Sequence, residues 1–569
     1  MIEPILASTG GEVESMRPAA VLLVSLIAVA LIIASHARPN VREAWSILAA
    51  VVNFGIVISM APGVLEGMVY VASFGELVPG VELALRADAL GMLFAVVASG
   101  LYVLTAVYSI GYMRGHDEPY QTRFFAMLCA SVGAALGIAF APNLLLFLVF
   151  YEVLTIATYP LVAHDESEEA RISGYKYLTY AFSGGLAVFG GMLAVFWLTG
   201  TVDFTRGGIA DLATADPWAT GAAFVALVAG FSVKAAVMPL HSWLPSAMVA
   251  LTPVSGLLHA VAVVKAGAFG VARTVIDVFG PGLVGDLGLG LPLAAFAGAT
   301  ILISSLFALR QDNLKARLAY STIAQLSYIV FGLSLLEPAA LTGGLLHIPA
   351  HAFAKLTLFL CAGALYVQLH IKYISEMAGV GRRMPVTMGA FTLASFSMAG
   401  IPLLAGFVSK WHLIVGGAQA GHLAVPVVLI ISGALNVGYF WPIIYTAFFE
   451  RPNDREQKPV LDGPLGGAPV DDVRTDGGDR HDREDHGYDE EDHDHVDHDD
   501  HDHDHHDLPP SDGWGRPGGL LKETTLLMLV PLMSTTALVL LFGIVPDYMF
   551  FFDLVELIVE GATEGVSDQ

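Results

Sequence analysis

The chain is short of charge, short of lysine and almost without cysteine. Of its 569 residues only 14% are Asp, Glu, Lys or Arg, while 55% are hydrophobic, and mean hydropathy is +0.64. A soluble domain carries about 25% charged residues, so this inventory cannot cover several water-facing domains. One large polytopic membrane domain is left. The two cysteines, Cys129 and Cys361, lie alone in apolar runs, which excludes a CxxC redox motif and a disulfide framework. There is no Gly-rich phosphate loop, dinucleotide fingerprint, haem motif or iron–sulfur Cys pattern. The expectation is a chain with no cofactor, no catalytic metal and no nucleic-acid partner.

The acid that is present is concentrated. Net charge is −25, and the segment 451–519 alone holds 22 acidic and seven basic residues, a net −15. It contains a His/Asp run over 481–507 with no apolar periodicity. It reads as a disordered, low-complexity loop. Nine His in this run invite a metal reading, but selectivity for a transition metal needs fixed geometry, which such a run lacks. Acidic loops and a preference for Arg over Lys also fit the salt-rich cytoplasm of a halophile.

Apolar stretches of about 20 residues give fourteen expected spans: 18–37, 43–61, 89–112, 121–140, 142–163, 172–200, 217–249, 252–278, 287–309, 315–336, 341–369, 384–420, 422–449 and 523–546. The first follows a polar, acidic stretch without a small-residue cleavage site and reads as a retained helix. Loops after odd-numbered spans carry Arg38, Arg42, Arg114, Arg123, Arg171, Lys176, Arg310, Lys315, Arg317, Lys372, Arg382 and Arg383. Those after even-numbered spans, with the ends, carry only Arg17, Arg86, Arg206 and Arg273. The positive-inside rule then puts both termini outside and the His/Asp loop in the cytoplasm.

Two spans read as broken helices. In the seventh, Lys234 precedes Pro239, His241 and Pro245; in the twelfth, Gly400, Pro402 and Gly406 precede Lys410. Pro and Gly release carbonyls from the helical ladder, which a membrane tolerates only where protein or water satisfies them again. The segments share wording, Phe231-Ser232 ahead of Pro239-Leu240 and Phe396-Ser397 ahead of Pro402-Leu403. Five spans separate them, an odd number, so equivalent units lie in opposite orientations, as in transporters with inverted repeats.

Only nine of the 28 basic residues are Lys, and four of these, Lys234, Lys265, Lys355 and Lys410, fall in strongly apolar spans. An ionisable group at membrane depth costs at least about 2.5–3.5 kcal/mol, so each is a functional candidate. Glu152 is the single charge between Leu144 and Pro160, and Lys234 matches it by sign. Bringing that carboxylate towards the amine or withdrawing it changes which of the two holds the proton. In the eleventh span His347, His351 and Lys355 recur at i, i+4 and i+8, about 6 Å apart along one helix face, a spacing suited to a proton relay. His259 and Lys265 add a pair in the eighth span, and Lys410 stands as the terminal site at one mouth of the path.

The run Lys234-Ala-Ala-Val-Met-Pro-Leu-His-Ser-Trp-Leu-Pro-Ser-Ala, with Leu251-Thr-Pro-Val-Ser and Lys265-Ala-Gly, resembles the core signature of the proton-conducting antiporter-like family. So do Asn313-Leu-Lys-Ala-Arg-Leu-Ala-Tyr-Ser-Thr-Ile-Ala-Gln-Leu-Ser-Tyr and His351-Ala-Phe-Ala-Lys-Leu-Thr-Leu-Phe. That family includes the large subunits of Mrp-type Na+/H+ antiporters and the antiporter-like subunits of complex I and membrane-bound hydrogenases. The resemblance, over roughly residues 85–450, implies an all-α polytopic fold of about 14 transmembrane helices. Two inverted five-helix repeats, each with a broken helix, occupy 121–278 and 287–449, between three N-terminal helices (1–120) and, past the 451–519 loop, a last helix with its tail (520–569).

The resemblance also implies roles: Glu152 with Lys234 as its partner, Lys265 with the row His347, His351 and Lys355 as a central hydrophilic axis, and Lys410 as the exit. The short stretch after the last span is similar to the Mrp D type, whereas Leu257-Leu258-His259 is closer to the Mrp A or large complex I type.

The expected function is a secondary transporter component, not an enzyme, exchanging Na+ or K+ for H+ among other membrane subunits in the plasma membrane. A proton-pumping arm of a complex I-type oxidoreductase or hydrogenase is the alternative, and gradient-coupled bicarbonate uptake is a weaker third. Titration calorimetry of the excised His/Asp segment with Zn2+ should show no binding at tens of micromolar; stoichiometric uptake would make it a metal buffer.

Overall fold

The computed structural model describes residues 11–78, 81–116, 118–451 and 523–567. The expected acidic loop, 451–519, therefore lies outside the described residues except for Arg451. Long apolar runs leave their backbone no partner but itself, and helices dominate accordingly. They are α1 Arg17–Ala34, α2 Pro39–Leu65, α3 Ala89–Gly115, α4 Gln121–Ala139, α5 Leu144–Val162 and α6 Glu168–Thr199. Next come α7 Pro217–Lys234, α8 Trp243–Ser246, α9 Thr252–Ala260, α10 Val263–Arg273, α11 Gly290–Leu309 and α12 Leu314–Ser334. The last are α13 Pro338–Leu369, α14 Pro385–Ala399, α15 Ala405–Gln419, α16 Ala424–Phe449, α17 Leu526–Ile544 and α18 Phe551–Ser567.

Among the described residues twelve helical spans are long and apolar enough to cross a membrane. The two expected spans outside that set are helical too. Helix α12 is rich in buried Ser, Thr and Gln, and the twelfth span is cut into the 15-residue halves α14 and α15. One element departs from the all-α expectation. Strands β1 Glu12–Glu14, β2 Val69–Val78 and β3 Val81–Ala87 form a small sheet, parallel between β1 and β2 and antiparallel between β2 and β3. Valine-rich alternation around Pro79-Gly80 is a hairpin signal, hidden in the sequence by the weight of its apolar neighbours.

Lipid-facing helices are apolar outward: Leu186, Phe296, Ile430 and Leu541 are all exposed. The interior is formed by α9, α10, α12 and α13; every residue of 252–278 is buried. Helix α13 packs on α9, α12, α14 and α15, and α6 packs on α5 and α7. The eighth span is not one smooth helix. The Ala262 N–H passes over the Leu258 carbonyl, its regular helical partner, to that of Leu257 at 3.0 Å, and a π turn follows at Thr274–Val278. No Pro or Gly marks the first of these irregularities, which falls between His259 and Lys265.

The two halves repeat local detail at a constant separation of 170 residues (143 to 313, 200 to 370). Asn143 and Asn313 cap α5 and α12 with their side chains. Leu144 N donates to Val202 O at 3.0 Å and Leu314 N to Lys372 O at 3.0 Å. Left-handed residues recur as Glu166 (φ 59°) and Leu336 (φ 60°), then Gly200 (φ 74°) and His370 (φ 52°). Helices α6 and α13 are both 32 residues long. The register changes before the breaks: α7 ends at Lys234 and α14 at Ala399. Lys234 thus closes the first half-helix of its span, whereas Lys410 lies inside the second half-helix of its own.

An ion-pair triad and a carboxylate–amide clamp tie helix ends together. Buried Arg273, at the end of α10, donates to both oxygens of Asp88 (2.7 and 2.8 Å) and to Asp277 Oδ2 (2.7 Å). Asp88 is also the N-cap of α3, accepting from Gly91 N at 2.7 Å. Buried Glu523, just ahead of α17, accepts from Val386 N (2.7 Å) and Thr387 N (3.0 Å) at the start of α14. Burial works against the charge of Asp88, but Arg273 outweighs it and holds the carboxyl below the usual carboxylate range. A lowered carboxyl stabilises fully at neutral pH, and that contribution is lost only as pH falls below about 4.

Replacing Arg273 with Met leaves the buried Asp277 and the half-buried Asp88 without their partner, a loss of about 3–5 kcal/mol. The variant should melt well below the wild type in detergent; an unchanged melting temperature would show that this triad contributes nothing to stability.

Candidate functional site

The first break forms where α7 stops at Lys234 and the chain turns through 235–242 before α8. Its freed polar groups find protein partners, as the bilayer requires. Val237 N donates to Ser232 O (3.0 Å), Met238 N to Thr300 Oγ1 of α11 (3.1 Å) and Trp243 Nε1 to Val233 O (2.8 Å). Pro239 lies in the turn and Pro245 in α8. Helix α10 presses against this point, for a Cβ on Gly267 would lie 2.3 Å from Ala235 N. Fully buried Lys234 donates to the Tyr151 carbonyl of α5 at 2.5 Å, and its Nζ sits 3.4 Å from the centre of the Tyr151 ring. Glu152 is the next residue, yet among the described residues it forms no ion pair within 4 Å and neither carboxylate oxygen has a hydrogen-bond partner.

At the centre, Lys265 Nζ hydrogen-bonds with His351 Nδ1 at 2.8 Å, and the other ring nitrogen is Nε2. That nitrogen has no partner among the described residues. His347 and His351 follow one another at 6.0 Å between ring centres. Lys355 turns from this row to α12, donating to Leu318 O (3.1 Å) and Ser321 Oγ (2.9 Å). His259 stacks on Phe359 at 4.7 Å with both ring nitrogens unpartnered among the described residues. All five residues are buried to 1% exposure or less. The single-face row in α13 therefore fans out: His347 to α12 and α15, His351 to α10, Lys355 to α12.

The second break runs from left-handed Gly400 (φ 91°) through Pro402 to α15. A Cβ on Gly406 would lie 1.9 Å from Ser397 O, so glycine is required for the two half-helices to meet. Lys410 donates to the Met398 carbonyl released at the end of α14, and its Nζ lies 4.7 Å from the Tyr328 ring centre. Each break thus sets a lysine Nζ on a backbone carbonyl and a tyrosine face, with no carboxylate in contact among the described residues.

A polar chain that sequence reasoning did not single out connects the centre to the second break. Tyr439 OH reaches Ser321 Oγ (3.1 Å) and Asn436 Oδ1. Gln325 Nε2 contacts Asn436 Oδ1 (3.3 Å) and Met398 O (3.4 Å), while Gln325 Oε1 accepts from His347 Nε2 at 3.0 Å. His347 Nδ1 accepts from Ser409 Oγ at 2.8 Å. Lys355 is thereby tied through Ser321, Tyr439, Asn436 and Gln325 to the carbonyl that Lys410 holds. The available signal was Asn436, the single amide in the apolar helix α16.

Residues 141–435 match the family described as NADH:quinone oxidoreductase/Mrp antiporter, TM, and residues 78–125 match NADH-Ubiquinone oxidoreductase (complex I), chain 5 N-terminus. The chain belongs to this family. The A/B component of a probable K(+)/H(+) antiporter of Rhizobium meliloti is 35% identical over 422 residues, 71% of this chain but 41% of that protein. NADH-quinone oxidoreductase subunit N of Desulforudis audaxviator is 33% identical over 394 residues, 68% of this chain and 76% of that one. The fold is also that of a chain in the Mrp complex from Dietzia sp. DQ12-45-1b, with a TM-score of 0.77, 21% identity and 97% of both chains covered. This chain therefore spans less than half of its antiporter relative and about three quarters of the oxidoreductase one. By name, each of these relatives is one component of a larger assembly.

Tyr439→Phe removes the hydroxyl that joins Ser321 to Asn436 and leaves the packing. Proton transport by the family's machinery should fall, and combining it with Lys355→Ala should cost no more than Lys355→Ala alone. Fully additive losses would show that Tyr439 does not act through this lysine.

Proposed function

We propose that the chain is the proton-conducting subunit of a multisubunit monovalent cation/H+ antiporter of the Mrp type, exchanging Na+ or K+ for protons. It works with other membrane subunits in the plasma membrane, with both termini outside and the His/Asp loop in the cytoplasm. The observation that carries this reading is the pair of helix breaks, each with a buried lysine on a backbone carbonyl, on either side of the Lys265/His351 contact. Buried amines without fixed carboxylate partners suit a proton path, because each can exist charged or neutral within the same cage of carbonyl, hydroxyl and imidazole groups.

In this reading protons move between Glu152 and Lys234, then through His259, Lys265, His351, Lys355 and His347 to Lys410. Imidazoles accept on one nitrogen and donate from the other, and the orphan nitrogens of His259 and His351 are where linking waters fit. The breaks at Pro239, Pro245, Gly400 and Pro402 are the points that can deform. Halves 121–278 and 287–449, related as inverted repeats, supply one break each, which is the architecture of alternating access. The subunit itself catalyses no bond chemistry.

The second reading, a proton-pumping arm of an oxidoreductase complex, is favoured by the wider coverage of the subunit N relative. Glu152→Ala or Lys234→Ala should abolish Na+-dependent proton movement in everted vesicles; undiminished exchange in both removes the axis as proposed. Mass spectrometry of the intact purified complex separates the two readings. Small antiporter-type membrane subunits are expected, and iron–sulfur partners would establish the alternative.

A further inference from the structure

The Glu152 carboxyl lacks a donor, and the cause of its position lies on α6. A Cβ built on Gly185 would stand 2.1 Å from Glu152 Oε1, 2.9 Å from its Cδ and 3.6 Å from Oε2, its three nearest atoms. The carboxyl occupies space that any other residue type at 185 would fill. The neighbouring Gly184 serves something else: its Cβ would meet Gly230 O at 2.8 Å, so it closes the crossing of α6 and α7. Gly185 takes no such part in that crossing.

The second half of the chain indicates that the fold does not demand glycine at this place. At the constant separation of 170 residues, Gly185 of α6 corresponds to Lys355 of α13, and Glu152 of α5 to Thr322 of α12. One half holds an acid on the first helix against an empty place on the second. The other half holds a base on the second helix against small hydroxyl groups on the first. The absent side chain at 185 is therefore a feature of this site and not of the packing.

We propose that Gly185 is a positioning residue whose missing side chain forms a niche for the Glu152 carboxyl whenever it is separated from Lys234. The inference rests on the proton-conducting reading given above. Two neighbouring hydroxyls are engaged elsewhere: that of Thr155 donates to Tyr151 O at 3.1 Å, and that of Tyr177 pairs with Thr158 at 2.6 Å. Lys234 is held meanwhile by the Tyr151 carbonyl and ring. An ionised carboxylate without a donor is expensive at membrane depth, so the niche accepts the neutral acid. On swinging out, the acid gives its proton to the Lys234 amine and becomes the carboxylate partner of the ammonium; the reverse step returns the proton. Niche and ion pair are the two stations of one side-chain rotation.

The test uses Gly185→Ala in the full chain within its native complex, reconstituted in vesicles, with dye-reported proton transport and difference infrared spectroscopy. The carboxylic-acid band of Glu152 is identified by its loss in Glu152→Gln. With the niche filled, transport should fall by on the order of a hundredfold, the Glu152 acid band should vanish, and the melting temperature should hold. Gly185→Ala/Glu152→Asp, whose acid is one methylene shorter, should regain part of both signals. A Gly185→Ala protein with normal transport and an intact band overturns the proposal. So does a loss of transport with the band unchanged and no rescue by the shorter acid, which marks a merely structural glycine. If Glu152→Gln and Lys234→Ala transport normally, the proton-conducting reading falls first and takes the niche with it.

Discussion

Everything at the centre of this molecule follows from the expense of placing an amine inside an apolar bundle. Four lysines are buried to 6% exposure or less, and none has a carboxylate within 4 Å among the described residues. Elsewhere the fold handles buried charge by direct pairing, as Arg273 does with Asp88 and Asp277. Along the axis it uses dipoles instead: carbonyls of Tyr151, Leu318 and Met398, hydroxyls and an imidazole. A fixed ion pair is a sink that holds its proton state, whereas a dipolar cage supports both states at a smaller difference in free energy.

The Tyr151 and Leu318 carbonyls lie within the unbroken helices α5 and α12, whereas that of Met398 is released at the end of α14. The second break is therefore the source of part of the cage, and the glycines at 267 and 406 are what let neighbouring backbone approach the two breaks closely. Caps, left-handed residues and bridging bonds recur in the two halves at a separation of 170 residues, while the ionisable groups are distributed differently. Lys234 ends a half-helix while Lys410 lies within one, so they are alike in environment and not in position.

Much of this was legible in the sequence. Apolar runs of fixed length announce spans, and scarce lysines in such runs announce their own importance, because composition and membrane cost act on each residue alone. The breaks were legible through Pro and Gly. What could not be read depends on three-dimensional partners. The kink between His259 and Lys265 carries no Pro or Gly, the fanning of His347, His351 and Lys355 depends on which helices surround α13, and the Tyr439–Asn436–Gln325 chain joins residues over a hundred positions apart. Glu152 and Lys234 were matched by sign, yet no ion pair within 4 Å joins them and Lys234 is held by the Tyr151 carbonyl and ring instead. The small sheet beside the first helices was obscured by its apolar context.

The clamp of Glu523 on the first amides of α14 bears on how such a chain changes over time. Because that carboxylate seats the final crossing helix, its place in the bundle does not depend on the length of chain joining α16 to α17. By loop-closure entropy alone, doubling the length of a connection costs only about 0.6 kcal/mol. Insertions can accumulate there nearly free of selection for stability, leaving charge and composition open to respond to the solvent alone. A tract so unlike its surroundings is what an anchored, permissive junction would be expected to collect.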